Sequence, residues 1–169
     1  QKVVAWDPET SRITVQAGLT LSKLNASLAV RDVALTNLGD IAYQTVSGAI
    51  STATHGTGRR FGNLSTQVVG LRLITGDGSV LECSAEHEPE VFAAARVGVG
   101  ALGAISTVTL QCVPAFRLHA VEQPERLDDV MARWDEFVDE ADHTELFWVP
   151  GTGWAITKRN ERTHGPARP

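Results

Sequence analysis

The hexapeptide GVGALG, Gly98 to Gly103, reads letter for letter as G-x-G-x-x-G. That spacing is the fingerprint of a turn holding the pyrophosphate of a dinucleotide, but only after a strand and at the mouth of a helix. Here the flanks run the other way. EHEPEVFAAARVG (Glu86–Gly98) reads as a short helix, with Pro89 near its start and Gly98 placed to end it. AISTVTLQCV (Ala104–Val113) is rich in β-branched residues and reads as a strand. A pyrophosphate held between them would have no helix N-terminus facing it. No acidic residue stands at the usual distance of about 20 residues beyond; Leu118 to Glu122 occupy that region, and Glu122 falls on a different strand. The Rossmann reading fails. Two readings of the glycines stay open: a helix stop with tight entry into a strand, or close approach of backbone to a flat ligand.

The flanking segments give alternating helices and strands. SRITVQAG (Ser11–Gly18) places Ile13, Val15 and Ala17 on one face of a strand. TLSKLNASLAVRD puts Leu21, Leu24 and Leu28 at helical spacing, with Thr20 as N-cap. TQVVGLRLITGDGSVLECS (Thr66–Ser84) alternates Val69, Leu71 and Leu73 before Gly76-Asp77-Gly78, a hairpin whose turn needs positive φ. FRLHAVEQ reads as a further strand. PERLDDVMARWDEFVDEAD reads as one amphipathic helix whose apolar stripe is Leu127, Val130, Met131, Trp134, Phe137 and Val138, with Met131 and Trp134 as core. TELFWVPGTGWAITKRNE makes two strands around Pro150-Gly151, and RTHGPARP reads as a frayed polar end. A mild boundary falls between Pro114 and Pro124.

With 169 residues and a net charge of −5, the chain has the size and balance of an ordinary globular protein rather than a nucleic-acid binder. No apolar run approaches the roughly 20 residues of a membrane span. Beginning at Gln1, it reads as a segment of a longer chain. Cys83 and Cys112 sit in apolar alternating stretches, as buried free thiols, and the scattered histidines suggest no metal site. The triplets Asn25-Ala26-Ser27 and Asn63-Leu64-Ser65 match a glycosylation acceptor but carry no meaning without a secreted context.

The richest stretch is NLGDIAYQTVSGAISTATHGTGRRFGNLS, Asn37 to Ser65. Glycines alternate there with Thr45, Ser47, Ser51, Thr52, Thr54 and Thr57. Many backbone N–H groups and short hydroxyls can wrap a phosphate or the polar edge of a heterocycle. Ala49, Ile50 and Ala53 indicate a packed turn rather than an open loop. There is no Lys-Ser/Thr pair for a Walker loop and no G-x-S-x-G elbow for a serine nucleophile. His55 is open to two roles, an acid/base or ligand-orienting group and a hydrogen-bonded structural histidine. Arg59 and Arg60 read as solvated charge.

Five motifs in order carry a resemblance: TVQAG (Thr14–Gly18), NLGDIAYQTVSGAISTATHGTG (Asn37–Gly58), VVGLRLITGDGSVLECS (Val68–Ser84), VFAAARVGVGALGAISTVTLQCVPAFRL (Val91–Leu118) and FWVPGTGWAITKRN (Phe147–Asn160). Together they resemble the sugar-lactone oxidoreductases of the vanillyl-alcohol-oxidase superfamily. The resemblance implies an α+β fold, with a PCMH-type FAD-binding subdomain (mixed sheet with flanking helices) over 1–115. The start of a substrate, or cap, domain would occupy 116–169. It implies FAD contacts at Asp40, Thr45, Gly48, Thr52, Ala53, Thr54, His55 and Ile105, no metal, and oxygen access at Gly39. The implied reaction is oxidation of a sugar 1,4-lactone by hydride transfer to flavin N5, with oxygen or another electron acceptor as partner. An alditol oxidase, or a non-catalytic partial flavin scaffold, is the alternative. The resemblance also puts a pyrophosphate loop before Gln1 and the catalytic residues beyond the segment, so the isolated segment is expected inactive. A cytoplasmic location, with membrane association of the full-length enzyme open, is the matching expectation.

Overall fold

A computed structural model describes residues 1–166; Ala167–Pro169, the last part of the expected frayed end, lie outside the described residues. The chain divides into two compact units, one of 1–56 with 62–115 and the other of 57–61 with 116–169.

In the first unit the strands are β1 (Val3–Asp7), β2 (Arg12–Gln16), β3 (Val33–Ala34), β4 (Val68–Ile74), β5 (Val80–Ser84), β6 (Ala104–Gln111) and β7 (Val113–Pro114). Its helices are α1 (Leu21–Ala29), α2 (Val46–Ser51) and α3 (Pro89–Ala95), with one 3-10 turn over Leu64–Gln67. Five strands pair in the order β1-β2-β6-β4-β5, antiparallel at every step, so mixed character lies in helix and sheet together rather than in strand direction. A doubly wound parallel sheet is thereby excluded.

The period-two pattern decides which sheet face is buried. Ile13, Val15, Leu71, Leu73, Cys83, Val108 and Leu110 turn inward and pack with Leu21, Leu24 and Leu28 of α1 and Val46, Ala49 and Ile50 of α2. The opposite face is hydroxylated, where Thr14 and Thr109 meet through their Oγ atoms at 2.9 Å. The alternation expected at Val69 fails. Between Val68 and Gly70 the β4–β6 register shifts, and it is Val68 that enters the core while Val69 is half-buried. A bulge inserts one residue and moves every earlier side chain to the other face. Thr20 sits at the N-cap of α1 but its hydroxyl makes no capping bond there. Cys83 and Cys112 are free and buried, and burial pushes the Cys112 thiol up to about 11.

The second unit holds β8 (Arg117–Arg126), α4 (Leu127–Ala132), α5 (Trp134–Phe137), β9 (His143–Val149) and β10 (Trp154–Thr163). The three strands order as β8-β10-β9, all antiparallel. The single helix expected from Pro124 is instead a strand end and two short helices, broken at Arg133, whose φ of −120° and ψ of 30° leave the helical basin. Arg133 pairs with Glu140 and, at 2.5 Å, with Glu125. Two carboxylates on different elements therefore hold this residue where a continuous helix would carry it past them. Val130 and Phe137 enter the small core, but Met131 and Trp134 are 54% and 43% exposed, which corrects their expected burial.

Arg159 closes the ion network: it pairs with Glu125 at 2.9 Å and with Glu140, and its guanidinium lies 4.9 Å from the Phe137 ring centre. Thr157, fully buried, donates to Glu125 at 2.5 Å. Burial alone would raise the Glu125 carboxyl; hydrogen bonds from Thr157, Arg159, Gln123 and Arg133 outweigh it and hold it at about 2. Arg59 and Arg60, read as solvated charge, are exposed and pair with Asp139 at 3.0 Å and Asp142 at 3.6 Å. Both pairs are solvent-exposed on the arginine side, so each contributes little stability. The segment Thr57–Phe61 itself is held by Phe61 stacked on His143 at 4.8 Å and by His143 Nδ1 donating to the Thr57 carbonyl at 2.9 Å.

The Glu125 carboxyl ionises more readily folded than unfolded, so its stabilising contribution is complete above its ordinary value of 4.5 and is lost as pH falls toward 2. Acid titration of the protein, followed by near-ultraviolet circular dichroism, is expected to show this loss. Glu125→Gln should remove that part of the pH dependence while lowering stability at pH 7.

Candidate functional site

The stretch from Asn37 to Gly56 builds one compact feature around α2. Read locally it is a glycine-rich loop; the structure makes Val46–Ser51 helical because Thr45 caps it, its hydroxyl accepting from the Gly48 N–H at 3.1 Å. Backbone bonds then fix the helix from both ends. Val46 N–H donates to the Leu19 carbonyl at 2.8 Å and Ser47 N–H to the Ala17 carbonyl at 2.9 Å, while the Ser51 carbonyl accepts from Val99 N–H at 3.3 Å. At the C-terminal end Ala53 adopts φ +54°, a left-handed conformation, and the N–H groups of Ala53 and Thr54 close onto Ile50 and Ala49.

Two glycines let a second backbone segment lie against this one. A Cβ on Gly39 would sit 2.9 Å from the His55 carbonyl oxygen, and a Cβ on Gly56 would sit 2.2 Å from that of Leu38. Backbone 37–39 and backbone 54–56 thus touch with no room for a methyl group. Gly39 is brought beside Thr54 and His55 by this contact.

Of the residues singled out in the sequence, Thr45, Gly48 and Thr52 lie on α2 and its two caps, with Thr52 donating from its hydroxyl to the Gly48 carbonyl at 3.0 Å. Ala53, Thr54 and His55 follow directly. Asp40, Gly48, Thr52 and His55 are exposed, and Thr45, Ala53 and Thr54 half-buried. His55 donates from Nδ1 to the Gly56 carbonyl at 2.9 Å, which leaves Nε2 as a free acceptor on an exposed ring. Ile105 stands on β6 and is half-buried. It reaches the same neighbourhood through Ala17, whose N–H bonds Ser106 and whose carbonyl bonds Ser47. The loop after α3 arrives as well, through the Val99–Ser51 bond.

Other residues, not singled out in the sequence, belong to the arrangement. Gln44 donates from its amide to the Thr54 hydroxyl at 3.3 Å, and its carbonyl accepts from Leu21 N–H. Ile41 and Tyr43 project outward, 64% and 88% exposed. Nothing periodic in the sequence marks them, since both stand in a loop. Gly98 does not end α3, which stops at Ala95 with Arg96 as a right-handed C-cap; the left-handed residues are Val99 and Gly100 in the turn beyond, at φ +44° and +81°.

A surface of backbone in close double layer, short hydroxyls and outward apolar side chains fits a flat aromatic ligand with a polar edge. The class follows: residues 1–84 match the family model described as FAD binding domain, and residues 108–169 that of D-arabinono-1,4-lactone oxidase. Over these spans the chain is similar to FAD-binding domains and to D-arabinono-1,4-lactone oxidases. It is 46% identical to L-gulono-1,4-lactone dehydrogenase of Mycobacterium tuberculosis (strain ATCC 25618 / H37Rv), over 100% of this chain and 39% of that protein. To L-gulonolactone oxidase of Bos taurus it is 42% identical, over 88% and 34%. To D-arabinono-1,4-lactone oxidase of Saccharomyces cerevisiae it is 33% identical, over 92% and 30%. The chain thus spans 39% of the length of the mycobacterial relative. A crystal structure of cholesterol oxidase from B. sterolicum shares the fold, with a TM-score of 0.85 at 20% identity, covering 98% of this chain and 34% of that one. Among the described residues no group of three or more histidine, cysteine or acidic side chains is gathered as metal ligands, and no helix is long and apolar enough to cross a membrane.

Gly56→Ala is expected to force the two backbone segments apart and to lower stability by about 1–3 kcal/mol. Gly76→Ala is the control, since nothing lies within 4 Å of its Cβ position. Thermal denaturation of both variants checks this.

Proposed function

We propose that the full-length protein is an FAD-dependent oxidoreductase acting on the CH–OH group of a sugar 1,4-lactone. In this reading, 1–115 forms the later part of the FAD-binding domain and 116–169 begins the substrate domain. The observation that carries it is the double backbone layer of 37–39 on 54–56 beside a capped, doubly anchored α2. The names of the relatives supply the substrate class.

Bound FAD would supply the hydride acceptor. Asp40, Thr45, Gly48, Thr52, Ala53, Thr54, His55 and Ile105 would hold it. Thr52 already donates its hydroxyl to the Gly48 carbonyl and would offer surface, whereas Thr45, whose oxygen accepts from the Gly48 N–H, would keep its O–H as a donor. The His55 Nε2 would accept a hydrogen bond from the ligand. Preorganised backbone dipoles of this kind act on charge without reorganising as it develops. Gly39 would leave oxygen a path. Its missing side chain also removes a group from the contact with His55, which makes the two effects separable by choice of acceptor.

The full-length protein is expected to purify yellow and to bleach when L-gulono-1,4-lactone is added without oxygen. A preparation that stays colourless with added FAD overturns the cofactor assignment, and a yellow one that no lactone bleaches overturns the substrate class. Gly39→Ala should slow reoxidation by oxygen about tenfold or more while sparing an artificial acceptor. Equal slowing with both acceptors would trace the effect to a displaced 54–56 backbone.

A further inference from the structure

Gly98 to Ala101 form a tight turn, closed by the Ala101 N–H donating to the Gly98 carbonyl at 2.8 Å. Its two central residues are Val99 at φ +44° and Gly100 at φ +81°. Two positive φ values in succession mark the mirror-image turn class, which glycine, asparagine and aspartate dominate. A β-branched residue there is a genuine outlier, because its Cβ meets the following carbonyl. Such strain persists when something in the surroundings repays it, and it concentrates at ligand sites.

Nothing in the first unit repays it by packing. Val99 is 74% exposed, and Val97 and Leu102 beside it are each 42% exposed. Its N–H bonds to α2, through the Ser51 carbonyl, one residue before Thr52. Gly98 is needed for this placement, since a Cβ there would lie 2.9 Å from the Ala94 carbonyl oxygen. The turn is therefore built to carry the residue after Gly98 out of the core and tie it to α2. Glycine or asparagine would do so without strain, yet the chain carries an isopropyl group.

We infer that Val99 is a cofactor-positioning residue: its side chain is held outward to pack against an apolar ring portion of the FAD bound beside α2. This rests on the flavin reading above and adds to it a residue from the GVGALG loop. The glycines of that loop would serve the dinucleotide indirectly, by shaping the turn that presents a valine, rather than by wrapping phosphate. The strain is repaid by burial of the isopropyl group when the ligand binds.

The test uses the full-length protein, stripped of FAD and reconstituted. Val99→Gly removes both the strain and the isopropyl group. The expected result is an apoprotein melting no lower than wild type, with FAD affinity, read by quenching of flavin fluorescence, weakened about tenfold. Val99→Ile keeps an apolar branched side chain and should bind FAD within about twofold of wild type. Val99→Asn suits the turn but is polar, and should weaken binding as glycine does. Unchanged affinity in Val99→Gly overturns the inference, whatever the melting temperature. So does a lower melting temperature of the Val99→Gly apoprotein, which would show Val99 packed against protein instead. Wild-type protein that binds no FAD would instead overturn the underlying flavin reading.

Discussion

Helix α2 is too short to hold itself together. A six-residue helix makes only a turn or two of internal bonds, which cannot offset the cost of nucleation. Its position therefore depends on the backbone bonds donated to Leu19 and Ala17 at one end and accepted from Val99 at the other, and on Val46, Ala49 and Ile50, each fully buried. The strand-to-helix junction at Ala17–Leu19, the loop after α3 and the core beneath all converge on this one element. Any residue around it, from Gly39 to His55, takes its place from that anchoring. The tenons are main-chain atoms, so side-chain variation on the exposed surface of α2 leaves the frame intact.

Glycine has three distinct duties in this unit. At Gly39 and Gly56 it allows two backbones to touch. At Gly103, where φ is +132° and a Cβ would lie 2.4 Å from the Ile74 carbonyl oxygen, it lets the chain turn tightly into β6. At Gly98 and Gly100 it shapes the turn around a strained valine. The G-x-G-x-x-G spacing thus arises from helix exit and strand entry, with no helix N-terminus at its mouth.

Most of the frame was legible in the sequence because it rests on period. Ile13, Val15 and Ala17 alternate and are buried; Leu21, Leu24 and Leu28 follow the helical repeat and are buried. What period could not reveal was decided by tertiary contact. The bulge at Val68–Gly70 exchanges Val69 for Val68, and nothing local marks it. Arg133 breaks the helix expected over 124–142, where its ion pairs with Glu125, drawn into β8, and Glu140, beyond α5, hold it outside the helical basin. In the candidate site, the run of glycine and small hydroxylated residues was conspicuous, but its helix was hidden by Gly48, a poor helix former, and by a cap whose hydroxyl looked available. Tyr43 and Ile41 were passed over since a single exposed apolar residue in a loop has no periodic partner.

The path of the main chain through the two units is a matter of threading. It leaves the first at Gly56, contributes Thr57–Phe61 to the second, and returns at Gly62 before crossing finally after Ala115. Recombination at a single junction near Ala115 would consequently export the second unit without the five-residue insert that supplies Phe61 to its histidine. Inheritance of the pair as one cassette, or exchange at three breakpoints together, is what such a weave permits.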